Sequence, residues 1–103
     1  MTVRKTPLKM TESELMEAVR QLAALRGWHY LHHYDSRRSA PGWPDCVMVR
    51  GPRMVCAELK SEIGKATEAQ MIWLEVLAQV PGIECHLWRP ADLRSGEIDK
   101  VLR

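Results

Sequence analysis

The fold turns on residues 44–60, PDCVMVRGPRMVCAELK. Two apolar runs, Cys46 to Val49 and Met54 to Leu59, flank Gly51-Pro52. Val- and Met-rich runs bounded by turn residues read as two strands of a hairpin. If the turn has two residues, Arg50 faces Arg53, and counting back sets Asp45 directly against Glu58. Opposed side chains in an antiparallel pair have Cβ atoms about 4.5–5.5 Å apart. Proline is unusual in such a turn, so a longer loop that shifts the register is the alternative.

Neighbouring carboxylates repel unless one is protonated or a cation lies between them. Hard oxygen ligands at that spacing suit Mg²⁺ or Mn²⁺. Glu58 and Lys60 are two residues apart and share one face of a strand, which brings an ammonium to the same space. There it can orient a water or offset developing charge on a phosphate. Taken alone, an Asp after Pro and a Glu-x-Lys pair also describe a capped turn and a solvated strand face.

The chain on either side supplies the frame. Thr11 is a plausible N-cap, with Glu12 and Glu14 suited to a first helical turn. Leu15, Ala18, Val19, Leu22 and Leu25 then recur at helical spacing up to Gly27. Trp28 to Tyr34 is aromatic and predicts a strand. Residues 35–44 (DSRRSAPGWP) and 61–67 (SEIGKAT) read as loops. Thr67 caps a second expected helix, roughly Glu68 to Gln79, with Met71, Leu74, Val76 and Leu77 apolar, stopped by Pro81-Gly82. Ile83 to Trp88 predicts a fourth strand, and a short helix follows Pro90. Residues 1–10 read as a loose arm and 11–103 as one domain. A helix between the last two strands permits a parallel crossover. The expected fold class is therefore α/β, a mixed four-stranded sheet flanked by helices.

Composition narrows the function. The 103 residues are 46% hydrophobic and 27% charged, with a net charge of only +2, so any basic surface for nucleic acid has to be local. No run is long and apolar enough to predict a membrane span or a secretory leader. Three cysteines in apolar runs suggest reduced thiols and a cytoplasmic setting. Four histidines accompany them without the spacing of a zinc site. No glycine-rich phosphate loop appears, so a nucleotide cofactor is not expected.

Gly42-Trp43-Pro44-Asp45, Ala57-Glu58-Leu59-Lys60, Gly64, Gln70 in the second helix, a first-helix acid and Trp88-Arg89-Pro90 together resemble the PD-(D/E)xK nuclease superfamily. The resemblance is to its VRR-type branch and runs from about residue 11 to 95. It implies a restriction-endonuclease-like αβββαβ core and a divalent-metal phosphodiesterase. Asp45, Glu58 and the Leu59 main-chain carbonyl would bind Mg²⁺ or Mn²⁺, Lys60 would position the water, and Gln70 would support the site. Glu12 is favoured over Glu14 as the first-helix acid, because it lies on the Leu15–Val19 stripe. Ser36, Arg37 and Arg38, with Lys65, are candidate phosphate contacts. The resemblance further implies a small homodimeric endonuclease, phage-like, acting on branched DNA such as four-way junctions or flaps. The competing class is a module on the same fold that binds DNA or protein without cutting. An RNA substrate is a third reading, since nothing here reads the 2′-hydroxyl.

Overall fold

A computed structural model of the chain describes residues 9–32 and 40–103. Thr11 and Glu14 form a reciprocal capping box. The Glu14 amide donates to Thr11 Oγ1 at 3.1 Å, and the Thr11 amide to Glu14 Oε1 at 3.0 Å. Two orphan donors are thereby satisfied and helix α1, Glu12–Leu25, begins. It buries Leu15, Val19 and Ala23. Leu25, expected on the same stripe, is 75% exposed, although Ala23 of the same last turn is fully buried and Leu22 packs against the core.

Strand β1 is His29–His32, within the predicted aromatic run, and His33 lies outside the described residues. Trp28 precedes it, pinned by its indole Nε1 donating to the Leu102 carbonyl at 2.8 Å. Tyr34 lies outside the described residues. β2 is Cys46–Arg50 and β3 is Arg53–Leu59. The two-residue turn holds despite its proline, with Gly51 taking the left-handed conformation at φ 57°. Arg50 pairs with Arg53 and Cys46 with Ala57, so the expected register stands. Helix α2, Glu68–Ala78, leads to β4, Ile83–Trp88, which runs parallel to β3. The sheet order is β1-β2-β3-β4, mixed as predicted.

The tail forms two helices rather than one, α3 (Pro90–Arg94) and α4 (Glu97–Leu102). Gly96, at φ 84°, separates them by turning the chain where a side chain would be strained.

Side chains alternate across the sheet. Cys46, Met48, Val55, Ala57, Leu59 and Trp88 join the buried cluster with Leu15, Val19 and Ala23 of α1 and Ile98 and Leu102 of α4. The intervening residues Val47, Cys56 and Glu58 therefore project to the other face, where α2 packs along β4. Of the four apolar positions expected on α2, Leu74 is buried; Met71 and Val76 are about half exposed. One helix covers only part of this second face, and that leaves the other faces of α2 in water.

The arginines at the hairpin tip are structural. Arg53 pairs through two hydrogen bonds with Glu84, at 2.7 and 2.8 Å, and the guanidinium groups of Arg50 and Arg53 both lie over the Trp28 ring. Arg50 donates to the carbonyls of Arg26 and Leu102. These contacts fasten α4 beneath the sheet. No helix among the described residues is long and apolar enough to cross a membrane.

Candidate active site

Just before β2 begins, the Pro44-Asp45 pair changes the ladder. Met54 N–H and Lys60 N–H donate toward β4, to Gly82 and Trp88. The alternate residues of β3, Leu59 included, therefore present their backbone groups toward β2. Continuing the register sets Pro44 against Leu59, and proline has no N–H to offer the Leu59 carbonyl. Asp45 Oδ2 takes the Leu59 N–H instead, at 2.8 Å. One substitution of side chain for backbone thus anchors the Asp45 carboxylate and leaves a main-chain carbonyl beside it without a ladder donor from Pro44.

Glu58 is the buried partner, 1% exposed. Its Oε2 accepts from Gln70 Nε2 at 2.7 Å and lies 3.5 Å from Lys60 Nζ. Its Oε1 is buried and receives no hydrogen bond. Burial above all, then the neighbouring Asp45 charge and a proton that Asp45 can share, pushes the Glu58 carboxyl up to about 8; Lys60 works in the opposite direction. A buried carboxylate oxygen without a donor, facing a second carboxylate, fits a hard divalent cation. Among the described residues no group of three or more His, Cys, Asp or Glu gathers, so a cation here draws on two carboxylates and main-chain oxygen.

The Gln70 amide is oriented by the helix that carries it. Thr67 and Gln70 form a second capping box: Gln70 Oε1 accepts from the Thr67 amide at 2.8 Å, and Thr67 Oγ1 accepts from the Gln70 amide at 3.1 Å. With the oxygen so engaged, the NH₂ end has to face Glu58. The same residue that starts α2 therefore holds one oxygen of the buried acid.

Gly42 sets how close α2 comes. Its φ is 87°, and a Cβ there would lie 2.4 Å from the Ala69 carbonyl carbon and 2.7 Å from the Gln70 nitrogen. The loop before Asp45 thus rests on the first turn of α2. Trp43 packs edge-on against Trp73, centroids 5.1 Å apart. The glycine and tryptophan of the Gly-Trp-Pro-Asp stretch join α2 to the loop, and its proline and aspartate form the site.

The two first-helix acids separate. Glu14 is held in the capping box, and its carboxyl is lowered by the Thr11 hydrogen bonds. Glu12 reaches over the turn after Lys60, where its Oε1 lies 3.6 Å from the Cβ position of Gly64. Lys65 is exposed on the same connection. Ser36, Arg37 and Arg38 lie outside the described residues. His32 lines a cavity with Met16 and Glu17 of α1, on the opposite side of the sheet from the carboxylates.

The Glu58 shift has a measurable consequence. Its folded pKa exceeds the unfolded value of 4.5, so its contribution is complete below about pH 4.5 and is lost as pH rises through about 8. The expected result for metal-free protein is that Glu58→Gln gains stability relative to wild type from pH 5 to pH 8, by a few kcal/mol (about 1.4 per pKa unit). Urea unfolding at the two pH values checks this. An equal difference at both would remove the buried anion from the account. His86, whose pKa burial lowers, titrates with the opposite sign in both proteins and cancels in the comparison.

Comparison with known proteins agrees with this geometry at the level of fold. No protein-family model matches the chain, and no curated protein matches it significantly. A solved structure described as a VRR_NUC domain protein superimposes with a TM-score of 0.61, at 20% identity, covering 84% of this chain and 84% of the other. The chain, with its αβββαβ order and mixed sheet, therefore has the fold of that VRR_NUC domain protein.

Proposed function

We propose that this chain is a divalent-metal-dependent endodeoxyribonuclease. The observation that carries the reading is the buried Glu58 carboxylate with one oxygen lacking a donor, set beside Asp45 and within 3.5 Å of the Lys60 ammonium. A structural core has no use for that arrangement, because burying a carboxyl with one oxygen left without a donor, beside a second carboxylate, costs stability. Such conflicts between local chemistry and stability concentrate at functional sites.

Asp45, Glu58 and the Leu59 carbonyl are the groups that would hold Mg²⁺ or Mn²⁺. Bound there, the ion supplies charge stabilisation and a more acidic water for phosphodiester hydrolysis. The chain's own residues do the rest. Gln70 keeps Glu58 turned toward Asp45. Lys60 presents an ammonium to the attacking water and to the charge that grows on the phosphate. Glu12 stands over the turn after Lys60, where it adds a further carboxylate at the rim. Lys65, with Ser36, Arg37 and Arg38, contacts phosphates of the substrate.

Resemblance to the VRR-type branch extends the reading to branched DNA, four-way junctions or flaps, in replication, repair or recombination in a bacterial or phage-infected cytoplasm. A homodimer would present two sites to two strands of a junction. The half-exposed Met71, Ile72 and Val76 of α2 offer a second copy an apolar surface.

The test incubates the protein with plasmid and with linear, nicked, flapped and four-way-junction DNA, in Mn²⁺ and then in EDTA. The expected result is cleavage in Mn²⁺, strongest on the junction and abolished by EDTA. Binding without cleavage in either condition would support the non-cutting module instead.

A further inference from the structure

We propose that Arg89 is a positioning residue of this site, acting through the turn 61–64 to hold Lys60 beside Glu58 and to fix the turn on which Glu12 rests. The inference rests on the nuclease reading above.

The parallel ladder between β3 and β4 ends with the Lys60 amide donating to the Trp88 carbonyl at 3.0 Å. Pro90, two residues on, has no N–H with which to continue it. The Arg89 side chain takes over. Its Nη1 donates to the Ser61 carbonyl at 2.7 Å and to the Gly64 carbonyl at 2.6 Å. One cation thus spans both ends of the turn that begins immediately after Lys60. The turn is closed within itself by the Gly64 amide donating to Ser61 Oγ at 3.0 Å. It is tied again from outside, where Glu62 accepts from the Ala91 amide at 3.0 Å and pairs with Arg94. Arg89 is in turn fixed by Asp92 Oδ2, which accepts its amide at 2.8 Å in the cap of α3.

The consequence falls on two side chains. Lysine is a point charge on a flexible stem, so its ammonium is placed only as well as the backbone beneath it. A site of this kind tolerates misplacement of about 0.5 Å. Lys60 is the last residue of the ladder, and Arg89 holds the next peptide carbonyl. Glu12 lies against the far end of the same turn at Gly64. Arginine suits the task because the two N–H groups of its Nη1, one for each carbonyl, are held in the rigid guanidinium plane, whereas the ammonium of lysine is a point charge on a flexible stem.

Arg89→Ala and Arg89→Lys in the full chain, assayed on a labelled four-way junction with Mn²⁺, test the proposal. The expected result is a kcat at least tenfold lower in Arg89→Ala, a KM for DNA within about twofold of wild type, and partial recovery with added methylguanidinium. Arg89→Lys should fall between the two. Amide hydrogen exchange over residues 61–66 should quicken at least tenfold in Arg89→Ala while residues 46–59 stay protected. Wild-type kcat in Arg89→Lys together with unchanged exchange in the turn would overturn it. So would a raised KM at unchanged kcat, which would place Arg89 on the DNA. An inert wild type would sink the nuclease reading, and the exchange measurement would still decide whether Arg89 holds the turn.

Discussion

Lys60→Ala is expected to lower Mn²⁺-dependent cleavage by about 10²–10³-fold, the range found when one preorganised charge-stabilising donor is removed. The Lys60 side chain is 13% exposed and its Nζ lies 3.5 Å from Glu58 Oε2, so little water surrounds it and its charge is poorly screened. Cation uptake should survive the change, because the carboxylates remain and a competing positive charge has gone. Folding should survive as well, since the Lys60 backbone, not its side chain, makes the bond to Trp88. Asp45→Ala is expected to differ: both cleavage and cation uptake should be lost, and the Leu59 amide loses its acceptor. The paired result separates holding the ion from using it. Wild-type rates in Lys60→Ala would remove the lysine from the mechanism.

Gly42→Ala is expected to be the most damaging single-methyl change in the described chain. The residue adopts φ 87°, where a Cβ costs roughly 1–2 kcal/mol. That Cβ would also lie 2.4 Å from the carbonyl carbon of Ala69, a backbone atom that cannot rotate away. Overpacking adds a further ~1–3 kcal/mol. A loss of about 3 kcal/mol is a large share of the stability of a small domain and corresponds to a fall in Tm of roughly 15 °C. If the protein relieves the overlap by letting α2 swing out, Gln70 leaves Glu58, and cleavage falls even at temperatures where the chain is folded. Gly64→Ala supplies the contrast. Its Cβ would meet the movable Ser61 Oγ at 3.1 Å with no unusual φ, so a much smaller loss is expected. Thermal denaturation of the two variants checks the ordering, and equal Tm values would contradict it.

Short-range rules account for what is legible in the sequence. A two-residue turn and period-two alternation determine the hairpin register, so the opposition of Asp45 and Glu58 follows from counting residues back from Gly51-Pro52. Capping residues likewise locate the starts of α1 and α2 at Thr11 and Thr67. Long-range placement is not legible in this way. Apolar spacing puts Leu25 with Leu22, but only the packed fold decides that Leu22 and Ala23 meet the core while Leu25 stays exposed. The same holds for Met71 and Val76, since one helix over part of a sheet face buries only one stripe. The tail reads as one helix because Gly96 signals a break only once Ile98 and Leu102 are seen turned into the core. Arg89 stands in a recognisable motif, yet its partners are the carbonyls of Ser61 and Gly64, which carry no sequence signal. Support of the site by the Gln70 amide is an expectation from sequence. Its orientation depends on a second bond, to the Thr67 amide, that composition does not reveal.

The central claim is that Asp45 and Glu58 lie together because a divalent cation joins them. Isothermal titration of Mn²⁺ into metal-free wild type, Asp45→Ala and Glu58→Gln tests it without depending on any substrate. The predicted result is saturable uptake by the wild type that is abolished in Asp45→Ala and weakened at least tenfold in Glu58→Gln. No uptake by the wild type, or uptake unchanged in both variants, would contradict it.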